Sequence, residues 1–272
     1  MTHCYQEVAR QSSGTLSKEA TDMLEVKQLA VAIGGKEILH DVNLAIRTGE
    51  TNVLFGPNGS GKTTLLMAIM GFPKYRVTRG SIIFMGKDIT RLPLDERARM
   101  GIGMSFQRPP VVRGVKTRDM VLACLRGHGD DETICQLASR ADLSDFLERD
   151  INLGFSGGEI KRSEILQLMA QKPQLALLDE PESGVDLVNI TLIGELINDL
   201  LEKECPVRDR KCTGLIITHT GHILNYVGAH TGYVMCDGII YCEGNPSEIL
   251  KTIKEKGYKA CVSCSARSMT NE

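Results

Sequence analysis

The chain has 272 residues, 42% hydrophobic and 24% charged, with 32 lysines and arginines against 34 aspartates and glutamates for a formal net charge of −2. That length holds one large domain or two modest ones with a substantial core, and the balanced charge argues against a nucleic-acid surface. No apolar run approaches the ~18 residues of a membrane span and no basic-then-apolar leader opens the chain, so a cytoplasmic protein without direct membrane insertion is expected. Its nine cysteines are odd in number and scattered, as buried small hydrophobes or free thiols of a reducing compartment would be.

Residues 1–22 are polar and aperiodic, which predicts a flexible N-terminal extension. Apolar–polar alternation over 24–31 and 38–46, with Gly34 and Gly35 between, predicts two strands joined by a turn. A third strand, 51–55, runs into Gly56, Pro57, Asn58, Gly59, Ser60, Gly61, Lys62, Thr63 and Thr64, followed by an apolar helix. This fits G-x-x-x-x-G-K-[ST], a loop that wraps backbone N–H groups around phosphate oxygens. Glycines at 56, 59 and 61 allow the φ values and close approach that a Cβ would block. The helix starting at Lys62 turns the positive end of its dipole toward the same anion. Lys62 can reach the β- and γ-phosphates, and the Thr63 hydroxyl can ligate Mg²⁺.

Further strands are predicted at 80–85 and 101–106, the latter ending at Gln107. From 109 to 153 apolar residues recur at helical spacing. With the amphipathic helix expected over 157–171, they predict a helical lobe, about 109–171, inserted in an α/β core. Residues 175–178 are apolar without interruption, as in a strand buried on both faces. Asp179 and Glu180 follow at its C-terminal end, the edge where open α/β sheets hold ligands. There Asp179 is placed to hold Mg²⁺, and Glu180 to orient or deprotonate an attacking water. A helix at 190–201, a buried strand at 214–218, strands at 233–236 and 239–243, and a helix from 246 to about 256 complete the pattern. Strands alternating with helices predict a parallel-sheet core.

Phe155, Ser156, Gly157, Gly158 and Glu159 resemble the LSGGQ signature of ATP-binding-cassette (ABC) ATPases. The other motifs of that family stand in order around it. Gln107, in Phe-Gln-Arg-Pro, resembles the Q-loop glutamine, Ser183-Gly-Val-Asp186 the D-loop, and His219 the switch histidine. The resemblance spans roughly residues 23–257 and leaves out the extension 1–22 and a tail, 258–272. It implies an α/β P-loop NTPase fold, the ABC nucleotide-binding domain, with a parallel-sheet core, an antiparallel β region and an inserted helical subdomain. It implies ATP and Mg²⁺ as ligands, with Thr63, Gln107 and Asp179 at the metal and Glu180, His219 and Gln107 in catalysis. Ser156, Gly157, Gly158, Glu159 and Asp186 would meet a nucleotide held by a second subunit. One chain then cannot complete a site, and an ATP-dependent head-to-tail homodimer is expected.

Within that family, residues 152–167 resemble the NVGFSGGEKKRxxILQ segment of the SufC-type ATPases of iron–sulfur cluster assembly. So do Gly80-Ser-Ile-Ile-Phe and the ending Glu255-Lys-Gly-Tyr258. This implies a cytoplasmic SufB/SufD-like scaffold protein as partner. The alternative is the ATPase subunit of a membrane transporter, which would share every catalytic residue. No aromatic side chain stands near Ile33, where other cassettes often stack adenine. Cys261 and Cys264 form a C-x-x-C on a polar tail, a spacing that suits half a zinc or iron–sulfur site or a redox pair but lacks the other two ligands, so that idle thiols are the alternative reading.

Overall fold

The computed structural model describes residues 22–259 and residue 261. The expected extension therefore lies outside the described residues except for Asp22, and so does Cys264 of the C-x-x-C. The chain opens with β1 (Asp22–Ile33) and β2 (Lys36–Arg47), antiparallel neighbours closed at Gly34 and Gly35. Next come β3 (Thr51–Phe55), α1 (Lys62–Met70), β4 (Arg76–Phe84), β5 (Lys87–Asp88), α2 (Leu94–Arg99) and β6 (Ile102–Ser105). A lobe follows, made of β7 (Val112–Lys116), α3 (Thr117–Leu125), α4 (Asp131–Arg140), β8 (Asp150–Ile151) and α5 (Gly157–Gln171). The chain then returns through β9 (Leu175–Asp179), α6 (Leu187–Leu200), β10 (Thr213–Thr218), β11 (Thr231–Cys236), β12 (Ile239–Gly244) and α7 (Pro246–Lys256).

The central six-stranded sheet has the order β12-β11-β3-β10-β9-β6. Its neighbours from β11 to β6 are parallel, and β12 closes one edge antiparallel to β11. A four-stranded antiparallel sheet, β2-β1-β4-β5, packs over one face. Between the two lies a core in which Leu24, Leu44 and Phe84 meet Leu65 and Ile69 of α1 and Leu177, Leu215 and Ile217 of the central sheet. On the opposite face Ala176, Leu178 and Ile216 meet Ile165 and Leu166 of α5, Ile193 and Ile197 of α6, and Val121 and Ile134 of the lobe. Alternate residues of β9 and β10 thus serve opposite cores, which is why their sequences are unbroken apolar runs.

The structure departs from the sequence reading where local signals are weak or interrupted. Asp22, assigned to the extension, already pairs with Arg47 in β1. β1 and β2 run longer than their alternation suggested because register shifts, one between Val26 and Leu29, displace the period-2 pattern. β4 starts at Arg76 rather than at 80. Gly80 (φ +81°) is a break inside the strand, where a Cβ would lie 2.3 Å from the Lys27 carbonyl oxygen. Helix α2 was not expected; it is six residues long and buries only Arg97. The lobe is not all helical, since β7 and β8 pair antiparallel across it. Cys261, placed on a polar tail by the sequence reading, is buried in an apolar cluster with Cys236, Phe55 and Ile249.

Candidate functional site

The sheet register brings the site together. Phe55, the last residue of β3, lies beside Thr218 of β10 on one side and Val234 of β11 on the other. Asp179 of β9 lies beside Ile217 of β10. The phosphate loop, the Asp-Glu pair and the residue after Thr218 therefore leave neighbouring strands at one edge, the C-terminal one. Gly56 admits no side chain: a Cβ there would lie 2.3 Å from the Met235 carbonyl oxygen and 2.7 Å from Ser60 Oγ. Gly61, the N-cap of α1, has φ +108° and no side-chain cap, and no acid stands in the first turn of that helix. Its N-terminal amides and dipole are left to an anion from outside the helix.

Lys62 is 5% exposed, and its Nζ donates to the carbonyl oxygens of Gly56 (2.8 Å) and Pro57 (2.9 Å). Burial pulls its ammonium below the ordinary lysine value, while Glu180 and Asp179 oppose that pull. The Thr63 hydroxyl donates to Asp179 Oδ2 at 2.9 Å. Asp179 Oδ1 is buried with no hydrogen-bond partner among the described residues. Burial raises the Asp179 carboxyl above its usual value, offset in part by the Thr63 hydroxyl. A hydroxyl beside an unsatisfied buried carboxylate oxygen is a hard-oxygen pair, and it fits Mg²⁺, which keeps most of its own waters.

Glu180 leaves β9 with φ +49°, an uncommon conformation for a non-glycine residue. Its backbone N–H donates to the Ile217 carbonyl at 3.1 Å. Gln107 Nε2 donates to its Oε2 at 2.7 Å, and His219 Nδ1 is 3.1 Å from its Oε1. The structure thus assembles Lys62, Thr63, Gln107, Asp179, Glu180 and His219 in one cluster. The signature is arranged differently. Ser156 and Glu159 cap each other at the start of α5: Ser156 N donates to Glu159 Oε2 at 2.6 Å, and Glu159 N to Ser156 Oγ at 3.4 Å. A Cβ on Gly157 would meet the Gly184 carbonyl oxygen at 2.6 Å, and one on Gly158 would meet the Asn189 side chain. Asp186 accepts from Asn189 N at 3.0 Å and from Asn189 Nδ2 at 2.6 Å, bracing the start of α6.

The contacts of several site-shaping residues escaped the sequence reading, including Lys161 and Tyr258, which it had noted only as part of the resemblance. Lys161 Nζ donates to the carbonyl oxygens of Phe106 (2.8 Å) and Gln107 (3.0 Å), and both oxygens of Glu164 accept from Phe106 N (3.0 and 3.1 Å). Helix α5 therefore straps the turn that carries Gln107. Burial holds the Glu164 carboxyl up at about 7 and depresses Lys161, with each group opposing the other's shift. Glu182 is buried against Thr218 and Thr220, and Tyr258 OH donates to the His219 carbonyl at 3.1 Å. The available signal was the charge-dense Lys161–Glu164 stretch inside an otherwise apolar-faced helix, which on periodicity alone reads as a solvated face.

The sequence profile described as ABC transporter matches residues 39–183. Over 250 residues the chain is 39% identical to vegetative protein 296 of Bacillus subtilis, an alignment covering 88% of this chain and 93% of that one. It is 38% identical to a protein of Cyanidium caldarium named "Probable ATP-dependent transporter ycf16", covering 88% and 96%. A "Probable ABC transporter ATP-binding protein" of Streptococcus pyogenes is also 38% identical, covering 87% and 93%. Among solved structures, an ATP-binding cassette of an ABC transporter superposes with a TM-score of 0.73 at 25% identity, covering 89% of this chain and 98% of that one.

Proposed function

The chain belongs to the ABC transporter family and carries its ATPase domain, and we propose that it couples ATP hydrolysis to a cytoplasmic SufB/SufD-type scaffold protein that builds iron–sulfur clusters. One observation carries this reading: the segment 152–167, which resembles the SufC-type signature, is built into the site. Its Lys161 and Glu164 both bind the Phe106–Gln107 turn rather than facing solvent. A scaffold pressing on the lobe would act on Gln107 through those two residues. No helix among the described residues is long and apolar enough to cross a membrane.

In this reading the loop Gly56–Thr64 wraps the triphosphate, with Lys62 moving from the loop carbonyls to the β- and γ-phosphate oxygens. Thr63, Asp179 and Gln107 would hold Mg²⁺, which when bound neutralises charge developing on the phosphate oxygens. Glu180 orients the attacking water or takes its proton, while Gln107 and His219, both on its carboxylate, set its direction. His219, now 3.1 Å from Glu180, would exchange that contact for a γ-phosphate oxygen. Ser156, Gly157, Gly158 and Glu159, with Asp186, close on the nucleotide of a second copy in a head-to-tail dimer.

The test is affinity capture of the tagged chain from soluble and detergent-extracted lysate, read by mass spectrometry. Recovery of a SufB/SufD-like scaffold in the soluble fraction is the expected outcome. The names of the relatives favour a second reading, the ATPase subunit of a membrane transporter. An integral membrane permease in the detergent fraction would establish it in place of the first.

A further inference from the structure

We infer that Glu182 is a positioning residue for hydrolysis, a carboxylate that fixes the backbone on both sides of His219. This rests on the reading of His219 as the group that meets the γ-phosphate. Glu182 is 7% exposed and lies in the turn that begins at Glu180, where Ser183 N donates to the Glu180 carbonyl at 3.0 Å. Its Oε1 accepts from the Thr218 hydroxyl and, at 3.2 Å, from the Thr220 hydroxyl. Those two residues flank His219. Each hydroxyl in turn accepts from the backbone ahead of it: Thr218 Oγ1 from Gly221 N at 2.8 Å, and Thr220 Oγ1 from His222 N at 3.3 Å. One carboxylate oxygen therefore organises the whole turn from 218 to 222.

The other oxygen, Oε2, is buried without a hydrogen-bond partner among the described residues. Burial raises the Glu182 carboxyl above its ordinary value, against the lowering effect of the Thr218 hydroxyl, its own backbone N–H and the Thr220 hydroxyl. A buried carboxyl is costly to hold unless its contacts offset that cost, and here the contacts all lie on the turn that carries His219. The Asp-Glu loop and the His219 loop are joined twice, by Glu180 to the His219 ring and by Glu182 to the threonine hydroxyls. If His219 leaves Glu180 for phosphate, the second joint keeps its backbone in place while the ring turns. Displacements of about 1 Å in such groups cost up to about 100-fold in rate.

The experiment is steady-state ATPase kinetics of the full chain with Glu182→Ala, Glu182→Gln, Thr220→Val, His219→Ala and the Glu182→Ala/His219→Ala double variant. Glu182→Ala is expected to lower kcat by roughly 10- to 100-fold with KM changed less than about 3-fold. Glu182→Gln, whose amide oxygen still accepts from both hydroxyls, should restore kcat to within about 3-fold of the parent. The partly exposed Thr220→Val keeps the inference testable if Glu182→Ala does not fold, and it should lower kcat without raising KM. The double variant should be no slower than His219→Ala, because both losses pass through one group. Multiplying losses in the double variant, a Gln variant as slow as the Ala variant, or unchanged kcat in Thr220→Val and Glu182→Ala would each overturn the inference. If His219→Ala alone hydrolyses normally, the reading of His219 fails and this inference with it. A slow His219→Ala beside a normal Glu182→Ala removes Glu182 only.

Discussion

Two helix N-termini in this molecule start from similar sequence material and end in opposite states. Helix α1 begins at Gly61 with no side-chain cap and no acid in its first turn. Helix α5 begins at Ser156 with a complete capping box, Ser156 and Glu159 each satisfying the other's backbone. The first end keeps its amides for an incoming anion, next to a lysine and two carboxylates already in hydrogen-bond contact with their neighbours. The second has supplied its own acceptors and exposes its serine. The box satisfies the amides of Ser156 and Glu159 and leaves those of Gly157 and Gly158 and the serine O–H to an outside acceptor, so the two ends differ in how much of the helix terminus is committed in advance.

The largest effect expected from breaking that asymmetry is at the first end. Glu180→Gln should keep ATP binding, lower hydrolysis by about 100-fold or more, and accumulate an ATP-bound dimer on gel filtration. A monomer that hydrolyses at the parent rate would remove Glu180 from its role. Next, Lys62→Ala should weaken ATP binding by roughly 30-fold or more in calorimetry, a loss of about 2 kcal/mol or greater. Ser156→Ala, at the second end, should leave the affinity of the isolated monomer within about 2-fold while slowing turnover. Equal losses of affinity in the two variants would erase the distinction.

A smaller effect belongs to the strap between the two ends. The folded-state value of about 7 for Glu164 lies above the ordinary glutamate value of 4.5, so the folded chain binds this proton more tightly than the unfolded one. Stability from this group is then highest below about 4.5 and is lost as pH rises through about 7. Glu164→Gln should therefore gain stability at pH 8 relative to pH 5, on the order of 1–3 kcal/mol by denaturant titration. No change in the difference between the two pH values would mean that the carboxyl titrates normally. Smallest of all, Glu159→Ala should cost about 1 kcal/mol by opening the capping box, a drop of roughly 2–4 °C in Tm.

What could be read from the chain and what could not divides along physical lines. Residues 51–64 were legible because the backbone there must perform one act, ending a buried strand and wrapping an anion, and only glycines at 56, 59 and 61 permit it. Leu175–Asp179 was legible because burial on both faces leaves no polar position until the sheet ends. The extent of α5 was legible too, but its inner charges were not. Lys161 and Glu164 are spaced as a solvated ion pair would be, and only the tertiary fold shows that their partners are the peptide groups of Phe106 and Gln107. The capping role of Glu159 follows the Ser-x-x-Glu rule, whereas the link of Glu182 to Thr218 spans 36 residues and has no local signature. Short elements such as β8, two residues long, carry too little pattern to be seen at all.

The Tyr258 hydroxyl bonded to the His219 carbonyl has an optical consequence. The chain contains no tryptophan and six tyrosines, so its ultraviolet emission comes from tyrosine alone. One of those emitters donates its phenolic proton to the backbone carbonyl of His219, and phenol emission is sensitive to hydrogen bonding. If His219 meets nucleotide as proposed, its engagement should register as a change in intrinsic fluorescence, with no dye attached. Tyr258→Phe should remove that component of the signal and thereby assign it.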